Sequence, residues 1–199
     1  MKIVIASGNK NKIKEFKEIF RDTNIEFLTP KDFGIDNFEV NEDGDTLKDN
    51  SYKKAKSLYD IVKTPTIADD TGLFVKSLDG KPGVKSHRYA GYDANDKKNR
   101  KKLLDNLEGI ANRNAYFETV ISFVDGNDIN FFSGRIDGEI LKQEMGEGGF
   151  GYDSIFKPKD YDLSFSQMGA KEKNKISHRA NALRKFREFI LDNYEVCNN

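Results

Sequence analysis

The sequence has few of the features that mark secreted, membrane or multidomain proteins. Its 199 residues include one cysteine, four prolines and no tryptophan, and no stretch rich in Pro, Gly and Ser divides the chain. The single cysteine, Cys197, can form no internal disulfide, which is compatible with a reducing compartment. No apolar run approaches the length of a membrane span or a signal-peptide core. We therefore predict a single domain over residues 1–199, located in the cytoplasm and without membrane contact.

The chain also lacks net charge. Lys and Arg together number 33, and so do Asp and Glu. No overall field therefore attracts the protein to nucleic acid or to an anionic membrane, and any attraction for anions has to come from local clusters. We expect a small anionic ligand rather than a nucleic acid as the partner.

The most informative stretch is residues 66–75, which contain two adjacent acids, Asp69 and Asp70. The apolar run after Pro65 predicts a buried strand that delivers these acids at its end. Two neighbouring, partly buried carboxylates repel each other, so one takes up a proton, binds a cation or points to the opposite face of the strand. Mg²⁺ is the natural cation if phosphates are present. The alternative is a solvated turn, because Asp, Thr and Gly are ordinary turn residues.

A second candidate site follows the first predicted strand, residues 2–6. Apolar residues at helical spacing from Ile13 to Phe20 predict a helix, so residues 7–12 form the loop that joins the two. A glycine in this loop permits close backbone approach, lysines supply charge, and the helix N-terminus offers free N–H groups. The pattern is typical of phosphate-binding loops, but it also occurs for purely structural reasons.

An acidic passage at residues 36–49 is a third place where a cation could bind. It does not match a calcium-binding EF-hand, because aligning Gly44 with the loop glycine places Asn50 where the bidentate glutamate is needed. Thr46 instead predicts a capping box that begins a helix with an apolar face. Most of these acids then lie at a solvated helix start, and one or two could lean towards the adjacent acids of the predicted strand.

The middle of the chain carries weaker functional signals. Residues 86–91 predict an irregular segment in which Arg88 is a candidate phosphate ligand. A helix capped by Asp93 or Asn95 follows it, and then two strands that form a hairpin around residues 125–128. This region is interpreted as mainly structural.

A glycine-rich segment comes next, with four glycines and two aromatic residues between Gly146 and Tyr152. Glycines around an aromatic ring let a flat ligand reach the backbone. Phe150 could then stack on a base while Asp153 accepts a hydrogen bond from a ring N–H. The alternative is a glycine-bulged strand that enters the core.

The last candidate segment, residues 171–179, is basic and precedes a predicted helix that has Ser177 as its N-cap. Lys173 on one side and His178 with Arg179 on the other form a donor cluster suited to a phosphate or to the carbonyl oxygen of a base. A lone His-Arg pair is more typical of a salt-bridged surface.

Four motifs occur in order along the chain: SGNKNK at residues 7–12, ADDTG at 68–72, GGFGYD at 148–153 and ISHR at 176–179. Together they closely resemble the inosine/xanthosine triphosphate pyrophosphatase family, and the resemblance spans nearly the whole chain. Residues 86–91 are similar to the bacterial branch. The exchanges at Ser7 and Thr71, where the family often has Thr and Ser, keep the hydroxyl.

The resemblance implies an α/β fold with an elongated mixed β-sheet flanked by helices, and two lobes with a nucleotide cleft between them. It implies hydrolysis of deaminated purine nucleoside triphosphates (ITP, dITP, XTP) to the monophosphate and pyrophosphate, with Mg²⁺ as cofactor and usually in a homodimer.

The resemblance also implies roles for individual residues. Asp70 would be the catalytic carboxylate and a metal ligand, Glu42 a second metal ligand, and Thr71 a substrate contact. The remaining substrate-binding residues would be Ser7, Gly8, Asn9, Lys10, Asn11 and Lys12 at the triphosphate, Phe150, Gly151, Tyr152 and Asp153 at the base, Lys173 at the nucleotide, and His178 and Arg179 at the base carbonyl.

Two other classes of protein compete with this interpretation. A haloacid-dehalogenase-type phosphatase also places Asp after a buried strand, but its Asp-x-Asp motif is absent at Asp69 and Asp70. A nucleotide-binding sensor would bind the same ligand without Mg²⁺-dependent turnover. The identity of the released product and the presence of turnover separate these classes.

Overall fold

The computed structural model describes residues 1–93, 95–126 and 128–196. Asn127, in the predicted hairpin turn, and Cys197 lie outside the described residues. The helices and strands are β1 (Lys2–Ile5), α1 (Lys10–Ile19), β2 (Glu26–Leu28), α2 (Leu47–Val62), β3 (Thr66–Val75), β4 (Pro82–Gly83), α3 (Asp96–Asn106), β5 (Asn114–Asp125), β6 (Asp128–Ile140), β7 (Phe156–Pro158), α4 (Ala170–Ile176) and α5 (His178–Asn193). Within the described residues, none of the helices is long and apolar enough to cross a membrane.

The strands form one mixed, seven-stranded sheet in the order β2-β1-β3-β5-β6-β7, with β4 paired to β3. Strand β1 is parallel to β2 and to β3, whereas β4 is antiparallel to β3 and β7 is antiparallel to β6. Parallel neighbours require crossover connections, which α1 and α2 supply. The predicted α/β class, a mixed sheet flanked by helices, is confirmed.

The chain divides into two compact units. Unit 1 comprises Met1–Asp70, Thr119–Gly134 and Arg179–Asn199, and unit 2 comprises Thr71–Glu118 and Arg135–His178. Strands β3, β5 and β6 contribute residues to both units.

Unit 1 buries strand β1 on both faces. Ile3 and Ile5 belong to one apolar cluster, and Val4 and Ala6 belong to another. Side chains alternate between the two faces of a strand, so a continuous apolar run such as β1 is typical of a sheet that is covered on both sides. The last helix, α5, buries four apolar residues that recur at helical spacing, which are Ala180, Leu183, Phe186 and Ile190.

Unit 2 has its own apolar core, to which α3 contributes Leu103 and Leu107. Helix α3 is capped by Asn95, whose side-chain oxygen accepts a hydrogen bond from the Lys98 N–H at 3.0 Å. Of the two predicted caps, Asn95 is therefore the one that the chain uses. The cap fixes where α3 begins, directly after the irregular segment 86–91.

Two predicted boundaries are wrong, and one helix was not predicted. Strand β3 continues to Val75, so Asp69 and Asp70 lie in its middle rather than at its end. The reason is that Leu73 and Phe74 pair with β4, and this pairing outweighs the turn preference of Asp, Thr and Gly.

Helix α1 begins at Lys10, so only residues 7–9 of the predicted loop 7–12 precede the helix. The basic segment 171–179 contains a short helix, α4, that was not predicted, and Ser177 lies between α4 and α5. Helix α5 begins at His178, so Ser177 directly precedes it as predicted.

Candidate active site

The two adjacent acids of β3 face different partners in unit 1. An oxygen of Asp69 lies 3.1 Å from Nζ of Lys12 and accepts a hydrogen bond from Nε of Arg179 at 3.1 Å. An oxygen of Asp70 instead lies 3.3 Å from Nζ of Lys54. This is what the two-residue alternation of a strand requires. Of the alternatives that the sequence left open, the acids therefore separate to opposite faces.

Asp69 is the centre of a buried ionic cluster. Arg179 is only 2% exposed and also donates a hydrogen bond from Nη1 to Glu15. Burial alone would raise the pKa of Asp69, but the charges of Lys12 and Arg179 outweigh it and hold the pKa of this carboxyl well below its usual range. Asp69 is therefore ionised, and it fixes the positions of two cationic side chains that come from α1 and α5.

Asp70 is the centre of a second cluster. Besides its contact with Lys54, its carboxylate accepts a hydrogen bond from Nδ2 of Asn50 at 3.2 Å, and Lys54 also donates to Glu42 at 2.7 Å. Burial and the negative charge of Glu42 raise the pKa of Asp70, although Lys54 acts in the opposite direction. The environment of Asp70 thus favours either a proton or an additional positive charge.

The donor set of the Asp70 cluster fits Mg²⁺. Lys54 holds the carboxylates of Glu42 and Asp70 within reach of one cation, and hard oxygen ligands of this kind are those that Mg²⁺ takes, together with water and phosphate oxygens. Across the residues that the structure describes, there is no group of three or more His, Cys, Asp and Glu side chains that could hold a metal ion. A bound Mg²⁺ would therefore need ligands from substrate and solvent as well.

The loop after β1 is organised by Asn9. Its side-chain oxygen accepts hydrogen bonds from the N–H groups of Asn11 and Lys12 at 2.9 and 3.3 Å, and its own N–H donates to Oγ of Ser7 at 3.2 Å. Two of the helix N–H groups that were expected to be free for a phosphate are therefore used by the cap. Gly8 and Lys10 are exposed. Lys12 is more buried, and this burial lowers the pKa of its ammonium group, although the negative charge of Asp69 acts in the opposite direction.

Unit 2 brings together three of the residues predicted at the base and the nucleotide. An oxygen of Asp153 accepts hydrogen bonds from the Phe150 N–H at 2.9 Å and from Nζ of Lys173 at 2.7 Å. The ammonium group of Lys173 lies 4.7 Å from the centre of the Phe150 ring. The glycine-rich segment is thus a loop folded around a buried ion pair, and it is not a bulged strand.

Two further predicted residues of unit 2 are packed into its core. The His178 ring stacks on Phe117, with ring centres 4.6 Å apart and planes 15° apart. The hydroxyl of Tyr152 donates to the Ser86 carbonyl at 2.8 Å, and burial raises the pKa of that hydroxyl. The contribution of Tyr152 to a base site would therefore come from its backbone.

The structure assigns the predicted residues to both units. Unit 1 holds residues 7–12, Glu42, Asp70 and Arg179. Unit 2 holds Thr71, which is half-buried in β3, together with the glycine-rich loop, Lys173 and His178. Arg88 is also in unit 2, half-buried in a 3₁₀ turn, and its role as a phosphate ligand stays a prediction.

Sequence reasoning missed Glu15, Asn50 and Lys54. Asn50 and Lys54 are four residues apart, and Asn50 belongs to the buried side of α2, together with Leu47 and Leu58. A polar pair at helical spacing beside an apolar stripe was the signal that could have identified them.

Comparisons with known proteins identify one family over most of the chain. A sequence model of the Ham1 family matches residues 3–189. A dITP/XTP pyrophosphatase of Thermoanaerobacter sp. (strain X514) is 43% identical over 197 residues, which cover 98% of this chain and 99% of that protein.

Two solved structures are also similar to this chain. The Ham1 protein of Staphylococcus aureus matches with a TM-score of 0.87 and 38% identity, and a HAM1 protein of Coxiella burnetii matches with 0.89 and 34%. Each match covers 96% of this chain and 99% of the other.

Proposed function

This chain belongs to the Ham1 family, and from that premise we propose that it hydrolyses deaminated purine nucleoside triphosphates (ITP, dITP and XTP) to the monophosphate and pyrophosphate, which cleanses the nucleotide pool. The observation that carries the proposal is the pair of adjacent carboxylates on β3, each held by a lysine. The two lysines, Lys12 and Lys54, supply positive charge beside a carboxylate that is suited to acid–base or metal chemistry. The names of the relatives identify the substrate class.

The charged groups of unit 1 suit the triphosphate. Attack of water on a phosphoryl group needs neutralisation of charge more than covalent help, so cationic side chains next to the reacting phosphate supply the larger stabilisation. Lys12 is anchored by Asp69, and Lys54 by Glu42 and Asp70. Residues 7–12 hold the phosphates, and no serine or cysteine nucleophile is required.

We assign Asp70 and Glu42 as the residues that hold Mg²⁺. When bound, the ion acts as a Lewis acid that neutralises phosphate charge and orients the substrate. Asp70 is the catalytic carboxylate, and its place beside Lys54 and Glu42 lets it hold the ion or take a proton from the attacking water. Thr71 follows Asp70 directly in β3, and its hydroxyl contacts the substrate.

The loop of unit 2 reads the base. Phe150 offers an aromatic face, and Lys173 and Asp153 keep the backbone around it in one conformation. Hypoxanthine and xanthine carry an oxygen at position 6 where adenine carries an amino group. Hydrogen-bond donors from His178 and Arg179 therefore favour the deaminated bases.

The proposal also covers the domain organisation, the oligomeric state and the location of the protein. Residues 1–199 act as one pyrophosphatase domain, the protein works as a homodimer, and it acts in the cytoplasm on the nucleotide pool. Nucleic acid is not a partner, because positive and negative charges balance over the whole chain.

A product-resolved assay tests the proposal. ITP, XTP, dITP, GTP, ATP and dUTP are incubated with the protein, with Mg²⁺ or with EDTA, and pyrophosphate and phosphate are measured separately. We expect Mg²⁺-dependent release of pyrophosphate, fastest from the deaminated purines, and loss of at least about a hundredfold in Asp70→Asn with the fold retained. Release of phosphate would support the haloacid-dehalogenase alternative, and binding without turnover would support the sensor.

A further inference from the structure

One residue of the base-reading loop, Gly151, is held at both its backbone N–H and its backbone carbonyl by the same helix. The N–H of Gly151 donates to Oδ2 of Asp96 at 2.7 Å, and the carbonyl oxygen of Gly151 accepts from Nη1 of Arg100 at 2.8 Å. Asp96 and Arg100 are four residues apart on α3, so they present their side chains on one face of that helix. All three residues lie in unit 2.

Arg100 also restrains the loop on the C-terminal side of Asp153, through Glu144 and Ser154. Nε of Arg100 lies 2.9 Å from the carboxylate of Glu144, which also accepts a hydrogen bond from Oγ of Ser154 at 3.0 Å. Gly151 and Ser154 flank Tyr152 and Asp153. Helix α3 therefore restrains the loop on both sides of the carboxylate that binds Lys173 and the Phe150 N–H.

The loop needs such a restraint because the residue that α3 holds, Gly151, is a glycine with high conformational freedom. Gly151 has a φ of +62°, in the left-handed region that glycine reaches without strain. A glycine left free visits many other conformations, and fixing one of them costs conformational entropy when the ligand binds. Holding Gly151 before the ligand arrives removes that cost and keeps Phe150, its neighbour in the chain, in one orientation.

We propose that Asp96 and Arg100 are positioning residues that fix the base-reading loop through Gly151, so that recognition of the purine depends on helix α3 as well as on the loop. The proposal rests on the function proposed above, because it assigns the loop to the base. The two side chains act on ligand binding and not on the reacting phosphates. Their loss therefore raises KM and leaves kcat nearly unchanged.

The test compares Asp96→Ala and Arg100→Ala with conservative variants and with a control on the same helix. Asp96→Asn keeps an acceptor oxygen for the Gly151 N–H, and Arg100→Lys keeps a donor for the Gly151 carbonyl. The control is Asp105→Ala, since Asp105 pairs with Lys101 at 2.7 Å and its side chain is 58% exposed. Steady-state kinetics with ITP and inhibition by inorganic tripolyphosphate are measured for each protein.

We expect each alanine variant to raise KM for ITP about tenfold, with kcat within about twofold of the wild type. Inhibition by tripolyphosphate, which has no base, stays unchanged. Asp96→Asn and Arg100→Lys recover most of the loss, and Asp105→Ala behaves as the wild type. An unchanged KM in both alanine variants, or an equal loss of tripolyphosphate inhibition, would overturn the proposal.

A direct measurement of ITP binding by calorimetry separates this proposal from the proposed function. If the wild type binds ITP without hydrolysing it, the pyrophosphatase assignment fails. The positioning role is then decided by whether Asp96→Ala weakens ITP binding about tenfold and leaves tripolyphosphate binding intact.

Discussion

The ammonium group of Lys54 lies 3.3 Å from the carboxylate of Asp70, and both side chains are largely buried, at 12% and 9% exposure. The same ammonium group contacts Glu42, so a single positive charge is shared by both carboxylates that we assign to the metal. The positive charge on Lys54 and the affinity for a divalent cation should therefore be coupled.

Lys54→Met tests this coupling. The variant keeps a long unbranched side chain without its charge and leaves Glu42 and Asp70 to repel each other. We therefore expect the free energy of unfolding in EDTA to fall by about 1–3 kcal/mol. Mg²⁺ should raise the melting temperature of the variant more than that of the wild type, because the ion replaces the lost charge. Thermal unfolding with EDTA and with Mg²⁺ measures both effects.

The control for that experiment is Lys56→Met on the same helix. Lys56 pairs with the exposed Asp60 and is itself 38% exposed, so this substitution should change neither the stability in EDTA nor the response to Mg²⁺. An equal response to Mg²⁺ in Lys54→Met and in the wild type would show that Lys54 is not linked to a metal site.

Arg179→Ala should destabilise the protein strongly. Arg179 is 2% exposed and binds both Asp69 and Glu15, so its removal leaves buried carboxylates with less compensating charge. Loss of one partner from a buried ionic cluster costs about 3–5 kcal/mol. Urea unfolding measures the change, and the exposed Arg184 on the same helix offers a matched control, Arg184→Ala, expected within about 0.5 kcal/mol of the wild type. Equal stability of the two variants would contradict the structural role of Arg179.

Stability should fall in acid partly because of Asp69. The pKa of this carboxyl is held below its usual range in the folded state, so Asp69 contributes stability above about pH 4, the range of its unfolded pKa. That contribution is lost as the pH falls through the folded pKa. Asp69→Asn should be less stable at neutral pH and should show a flatter loss between about pH 4 and pH 2. If the free energy of unfolding fell with pH equally in the wild type and in Asp69→Asn over this range, the acid destabilisation would not come from Asp69.

Gly8→Ala should separate folding from binding. A Cβ added at Gly8 meets nothing within 4 Å, and its φ is not in the left-handed region, so the fold accepts a methyl group there. The melting temperature should stay equal or rise slightly, because alanine has less freedom in the unfolded chain. KM for ITP should rise about tenfold if the phosphates lie against this backbone. An unchanged KM would remove Gly8 from the phosphate site.

Local pattern predicted the elements well wherever their apolar residues form a continuous run or recur at helical spacing. Strand β1, helix α2 and helix α5 follow from the spacing of their apolar residues, and their observed ranges agree with the expected ones. Strand β3 was predicted too short, because its pairing with β4 depends on residues about ten positions further along the chain. Helix α4 was missed because most of its residues are polar and, of these, only Lys173 is buried.

The partners of the candidate site could be predicted only in part. Asp70, Lys12 and Arg179 were found through motifs, but Glu15 and Lys54 were not, because their importance comes from which residues meet across the sheet. The hold of Asp96 and Arg100 on Gly151 likewise joins residues 55 and 51 positions apart, and short-range spacing carries no information about it.

By itself, the sequence determined the fold class and the family, because apolar periodicity and short motifs are local properties of the chain, and the same motifs indicated the segments that we assign to the site. Only the tertiary structure decided that Asp69 pairs with Arg179 and Lys12, while Asp70 pairs with Lys54, which also contacts Glu42. Which charges meet depends on how separate strands and helices pack, and a buried carboxylate takes its ionisation state from those neighbours.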